Sequence, residues 1–290
     1  MSAVPDNTRK QAAVLGAAGR AITARARDLL VSVGLAPASL TTAATVDGVP
    51  VFGARVDAAQ PRTWEMMRAQ HPRTGLWPFF SKESPEQWAL RSAGAPGAPQ
   101  RLSSALAVPP SEVVDELIAA HRAGASRYEP PDGELTAYRL GLFDVDRTLT
   151  LLTSDPPSAP WRPYGEIAGT SADPDWLCLV PARAGYELPA LLGAPHVNDW
   201  YASKEHDRLT VTDHVGVLRS WQQRFGADVR YLGVVALGLV VATPPTDPHD
   251  VARVAVEQFA YCDDLDQFVG EPHRVAQHQV PTHRWYFWWD

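Results

Sequence analysis

Lysine is scarce in this chain: Lys10, Lys82 and Lys204 are the only three among 26 basic residues, the rest being arginine. With a formal charge of −7 there is no basic excess to lay along a phosphate backbone, so nucleic acid is not an expected partner. Cysteine is scarcer still. Cys178 and Cys262 are far apart and cannot form a disulfide framework; both are expected as buried thiols. No C-x-x-C or H-E-x-x-H occurs, so the spacing offers no zinc site, and no metal or cofactor is expected. The absence of a G-x-S-x-G elbow, a P-loop and a G-x-G-x-x-G removes the common serine-hydrolase and nucleotide-binding signatures. The longest apolar stretch, residues 11–33, is interrupted by Arg20, Arg25, Arg27 and Asp28. It reads as an amphipathic helix, neither a membrane span nor a signal peptide, and a cytoplasmic protein is expected.

What the chain has in quantity is apolar and aromatic residues: 45% hydrophobic, with ten tryptophans in 290 residues. That is enough for a sizeable core and for packed aromatic clusters. The length suits two domains of ordinary size. A proline-rich stretch at 154–175 is the expected linker, dividing an N-terminal α/β region, 1–153, from a C-terminal domain, 176–290. Residues 91–112, rich in Ala, Gly, Pro and Ser, read as a surface loop.

Local patterns fill in the elements. Asp47-Gly48 between "TTAATV" and "VPVFGARV" predicts a hairpin closed by a two-residue turn. Helices are expected near Thr63–Gln70, Pro85–Ser92 and Ser111–His121, and strands over "YRLGLFDV" and "LTLLTS". "WLCLVPA" has strand length. Val215–Phe225 reads as a helix capped by Asp213 and stopped by Gly226. "DVRYLG" and "ALGLVVA" read as paired strands. Asp247, Pro248 and Asp250 mark the start of another helix running to Tyr261. In the closing "RWYFWWD", strand alternation puts Trp285, Phe287 and Trp289 on one face, and Arg284, Tyr286, Trp288 and Asp290 on the other. The first set must be core, so the strand is expected deep within the sheet, at its centre. The fold class expected is α+β: a mostly antiparallel sheet covered by helices, with the aromatic strand inside it.

The stretches "LCLVPARAGYELPALLG", "HVGVLRSWQQRFGADV", "VATPP", "VAVEQFAYCDD" and "WYFWWD", in this order, resemble a bacterial family, domain-of-unknown-function family 4253, over 176–290. "HPRTGLWPFF" at 71–80 resembles the upstream part of the same proteins. The chain departs from the family at "APHVNDW", which keeps Asn198 but lacks the usual glycines. The resemblance implies boundaries and no mechanism.

Three functional readings follow. The leading one is a non-catalytic module binding a protein partner, by analogy immunity-like, through a cleft lined by Asn198, His214, Arg219, Tyr261, Tyr286, Trp288 and Asp290. It rests on the mixed face of the last strand. In the second, "LFDVDRTLT" resembles the nucleophile motif of haloacid-dehalogenase-type phosphatases, with Asp144 as nucleophile, Asp146 as acid/base, Mg²⁺ between them, and Lys204, Asp263, Asp264 and Asp266 as later partners. That chemistry requires a buried parallel strand ending at Asp144, and the motif's usual glycine is Arg147 here. The third is a hydrolase or transferase centred on His214 at a helix start, with the acids after Tyr261. Oligomeric state has no sequence signature here.

Overall fold

The computed structural model describes residues 17–45, 47–56, 61–91, 97–125, 133–154, 175–195 and 208–289. They build one seven-stranded mixed sheet, mostly antiparallel, packed on both faces by helices: an α+β fold. In chain order the strands are β1 (Thr41–Ala44), β2 (Pro50–Arg55), β3 (Leu76–Ser81), β4 (Trp176–Pro181), β5 (Ala227–Leu232), β6 (Ala236–Val241) and β7 (Arg284–Trp288), and in space they run β1-β2-β4-β3-β5-β6-β7. Strands from before the proline-rich stretch and strands from after it therefore interleave, with β4 hydrogen-bonded between β2 and β3. "LWPFF" and "LCLV" are continuously apolar because their strands are covered on both sides.

Eleven α-helices lie among the described residues: α1 (Ala17–Ser32), α2 (Pro61–Thr74), α3 (Pro85–Arg91), α4 (Ala98–Ala107), α5 (Pro110–Ala125), α6 (Glu134–Leu142), α7 (Val145–Ser154), α8 (Leu188–Leu192), α9 (Val211–Phe225), α10 (Pro248–Tyr261) and α11 (Pro272–His278). On one face of the sheet α1 and α2 supply Leu29, Leu30, Trp64 and Met67 to a core with Phe52, Phe80, Leu177, Leu179 and Tyr286. On the other, the larger core joins α3–α5 and α8–α10 to Phe79, Val180, Trp285, Phe287 and Trp289. The only parallel pair among the described residues, β3 with β5, is bridged at Phe80 and Tyr231; further along, the Trp77 indole N–H donates to Val229 O at 3.0 Å. Gly185 permits that approach, since a Cβ there would fall 2.7 Å from the Trp77 ring.

The aromatic strand is where the alternation puts it by face but not by position. Trp285, Phe287 and Trp289 are buried against α9 and α10, yet β7 is an edge strand. The odd residues exchange bonds with β6 (Trp289 N–H to Val235 O, Val241 N–H to His283 O), so the backbone of Arg284, Tyr286 and Trp288 faces outward. An open edge would invite strand addition. Here side chains occupy it. Gln279 accepts from Tyr286 N–H at 3.1 Å, the Cys262 thiol donates to Trp288 O at 3.1 Å, and the Thr282 hydroxyl donates to Arg284 O at 2.6 Å. Both cysteines are fully buried, as expected, and Cys262 has this added role.

Several expectations are corrected. "YRLGLFDV" and "LTLLTS" are helices α6 and α7, not strands. Tyr138, Leu142, Val145, Leu149 and Leu152 recur at spacings of four and three, a helical period that outweighs the short apolar runs. The expected loop at 91–112 contains α4, which turns Ala98 and Ala105 into the core. α9 starts one turn earlier than Val215: Thr210 is the cap and Asp213 its reciprocal partner in a capping box. The hairpin turn is longer than two residues, because Thr45 N–H donates to Val49 O and Gly48, at φ 79°, closes a turn back to Thr45. The β5–β6 pair, the Asp247 cap and the Gly226 stop are as expected.

Trp221, at 0% exposure, sits where α9, α10 and β7 meet. It stacks on Phe287 at 5.3 Å and meets Tyr261 and Trp285 edge-on at 5.5 Å each. Trp221→Ala therefore costs about 3–5 kcal/mol in urea unfolding, the range for emptying an aromatic site in a core. A loss under about 1 kcal/mol would show that the cluster is not a structural centre.

Candidate functional site

Of the seven residues nominated from sequence, the five that are described do not share one cleft. His214, in the first turn of α9, and Tyr261, at the end of α10, do meet: His214 Nδ1 and the Tyr261 hydroxyl are 2.7 Å apart, with Trp289 edge-on to both rings. Both are at 1% exposure or less, so this pair is part of the core that joins the two helices. Burial holds the Tyr261 phenol well above its usual range, which keeps it protonated. Arg219 is half-buried elsewhere on α9 and donates to Leu106 O at 3.1 Å, tying α9 to the end of α4. Tyr286 and Trp288 pack in the core on the opposite face of the sheet. Asn198, Asp290 and Lys204 lie outside the described residues.

Asp144 and Asp146 are exposed at the start of α7, where Asp144 Oδ1 accepts from Arg147 N–H at 2.9 Å. Asp144 follows a helix, α6, and precedes another. The strand end that the phosphatase motif requires is not there.

The outer face of the helical layer instead carries a groove that no single motif announces. Its floor is one stripe of α5: Ser111, Val114, Asp115, Ile118, Ala119 and Arg122, spaced at three and four residues. Ser220 and Arg224 of α9 and Arg253, Val256 and Glu257 of α10 form one wall; Phe143 and Val145, at the α6–α7 junction, form the other. The cavity there is about 770 Å³. Arg122 and Arg253 also line a smaller cavity of about 390 Å³ with His249, Asp144 and Asp146. Beyond Phe143 a further cavity of about 460 Å³ is enclosed by His121, Gly124 and Ala125 of α5, Tyr138, Arg139 and Leu142 of α6, Phe259 of α10, and Asp263 and Asp266. Phe143 and Arg122 are held in place locally, since the Arg122 guanidinium donates to Phe143 O.

The stretch around Arg122 and Arg253 is of mixed charge, since Asp115, Asp144 and Asp146 line the cavities beside them, whereas the cavity beyond Phe143 is acidic. At the larger cavity Glu257 is already engaged, accepting from Trp221 Nε1 at 3.0 Å and from Arg224 at 2.7 Å, which leaves Arg122 and Arg253 facing Asp115. At the other end Asp263 and Asp266 face Arg139. Asp263 is the most perturbed carboxyl there. Burial first, then the neighbouring Asp264 and Asp266, push it up to about 7. His121, stacked on Phe143 at 4.5 Å and bonded through Nε2 to Ala260 O at 3.0 Å, is pushed down to about 4 by burial and is neutral above that. Among the described residues no group of three or more His, Cys, Asp or Glu side chains is arranged to hold a metal ion. Among them, too, no helix is long and apolar enough to cross a membrane.

Residues 176–290 match the family model described as Domain of unknown function (DUF4253). The match starts at the first residue of β4 and covers α8–α11 and β5–β7. It therefore includes the α9 and α10 wall of the groove but not its floor. It also omits β3, which lies between β4 and β5 in the sheet. No curated protein and no solved structure matches the chain.

The raised Asp263 carboxyl has a stability consequence. Its folded value, about 7, lies above the ordinary 3.8, so the native state holds this proton more tightly than the unfolded chain. Stability is intact below about pH 4, falls as pH rises, and is fully lost from this group above 7. Asp263→Asn is thus expected to raise stability by about 2–4 kcal/mol at pH 8 and by little at pH 4, read from urea midpoints of variant and parent at each pH. An equal effect at both pH values contradicts the assignment.

Proposed function

We propose that the protein is a non-catalytic binding module that seats an extended segment of a partner protein along α5. The observation that carries this reading is the groove itself, a stripe of α5 with apolar positions at Val114, Ile118 and Ala119, lying between a stretch of mixed charge and an acidic cavity. From Ser111 to Ala125 the helix rises about 21 Å, which is the reach of about six residues of extended chain at roughly 3.3 Å each. Val114, Ile118 and Phe143 offer apolar contact along that path. Arg122 and Arg253 are already set among Asp115, Asp144 and Asp146, so they give that stretch no net preference for a charged side chain. Asp263 and Asp266 suit a basic side chain in the cavity beyond Phe143.

The mixed face of the last strand, which first suggested a recognition surface, is packed against the α1–α2 side of the sheet. The buried His214–Tyr261 pair serves the core. The binding reading thus keeps its class and moves its surface.

A selection from random heptapeptides, with affinities of the winners measured by fluorescence polarisation, tests it. Selected peptides are expected to carry an apolar stretch next to a basic residue. Ile118→Asp, on the groove floor and not in the deep core, should weaken them at least tenfold with the circular dichroism spectrum unchanged. Selection of no consensus, or binding indifferent to Ile118→Asp, overturns the proposal.

A further inference from the structure

We propose that the cavity between α5, α6 and the 3₁₀ turn Asp263–Gln267 is a subsite for an alkylammonium group. Four aromatic rings line it. His121 lies flat on Phe143, 15° from parallel, and Phe143 meets Phe259 at 5.8 Å and 53°. Tyr138, half-exposed at the mouth, is fixed by a 2.8 Å hydrogen bond from its hydroxyl to Glu271. Two carboxylates, Asp263 and Asp266, enter the same cavity. Aromatic faces set around carboxylates give an organic cation both a charge partner and apolar contact for its methylenes. A hydrated metal ion gains nothing from the rings, and a carboxylate or phosphate would meet two like charges.

Arg139 also borders the cavity and offsets one of the two carboxylates, leaving one net negative charge when both are ionised. Arg147 lies over the Tyr138 ring at 5.7 Å, so this tyrosine already pairs with one cation; Phe143 and Phe259, at 5% and 3% exposure, give apolar contact to the methylenes rather than an open ring face. The groups facing Asp263 are His121 on α5, Tyr138 and Arg139 on α6, Asp264 and Asp266 on its own turn, and Glu271 through Tyr138. His121 carries no charge near neutrality. A bound ammonium favours the ionised Asp263 carboxyl, which is only part-ionised at pH 7 in the free protein. Binding there releases protons, and the measured heat changes with the ionisation enthalpy of the buffer.

This subsite adjoins the partner groove, but a small amine probes it without any partner segment, so the two readings fail separately. Isothermal titration with n-butylammonium chloride at pH 7.5, in buffers of high and low ionisation enthalpy, is the test. Saturable millimolar binding is expected, at least tenfold tighter than butanol and accompanied by proton release. Asp263→Asn and, independently, the exposed Asp266→Asn should each weaken it by about tenfold or threefold respectively, in the charge-pairing range. A second arm names the source of the ammonium. A lysine-containing hexapeptide that binds tighter than the free amine assigns it to a partner's lysine; equal affinities assign it to a free amine. Butylammonium heats no different from those of sodium chloride at equal ionic strength, or binding unchanged in both variants, overturn the proposal.

Discussion

The junction of α9, α10 and β7 is organised around the indole of Trp221. The ring is gripped by Phe287, Trp285 and Tyr261, and its N–H is satisfied by Glu257, a carboxylate at 4% side-chain exposure that Arg224 neutralises. Buried carboxylates are tolerated only when charge and hydrogen bonds are both supplied. Here both come from α9, and Glu257 comes from α10. One cluster thus fixes the spacing of α9 and α10, docks β7 beneath them, and leaves the Arg224 guanidinium at the surface, where it becomes part of a groove wall. The groove is a by-product of how the core is closed.

The same logic explains a sheet that ends on its most aromatic strand. β7 gains its place from one face, where Trp285, Phe287 and Trp289 leave water. Its exposed backbone is managed separately, by Gln279, Cys262 and Thr282. Because the edge is occupied, partner recognition by strand addition finds few unpaired groups there, and the helical face is the surface with shaped relief.

Much of this architecture could be read in the sequence. Period-two alternation sorted the last strand's two faces, Asp247-Pro248 marked α10, and Gly226 marked the end of α9, since each signal is local and strong. Position within a sheet is not local: nothing in "RWYFWW" distinguishes an edge strand whose free groups are met by distant side chains from a central one. "YRLGLFDV" and "LTLLTS" look strand-like because their apolar runs are short and the first is interrupted by Gly141 and Asp144. The four-three spacing of Tyr138, Leu142, Val145, Leu149 and Leu152 is the better guide. A strand reading hides the site. Phe143 and Val145 border the groove only because two helices meet at them, and the i, i+3, i+4 stripe of α5 gains meaning only once α9 and α10 stand beside it. Conversely, His214 and Tyr261 were correctly drawn together, but their proximity serves packing. A buried histidine at a helix start is satisfied by its neighbours far more often than it is used in chemistry.

The account's central claim is that partners are met on α5. A photo-crosslinking residue placed at Ala119, on the groove floor, and in parallel at exposed Val31 on α1, tests it in living cells. One discrete crosslinked product is expected from position 119 and none from position 31, with the crosslink mapping to a segment that carries an apolar stretch next to a basic residue. Products of equal yield from both positions, or from position 31 alone, would contradict it.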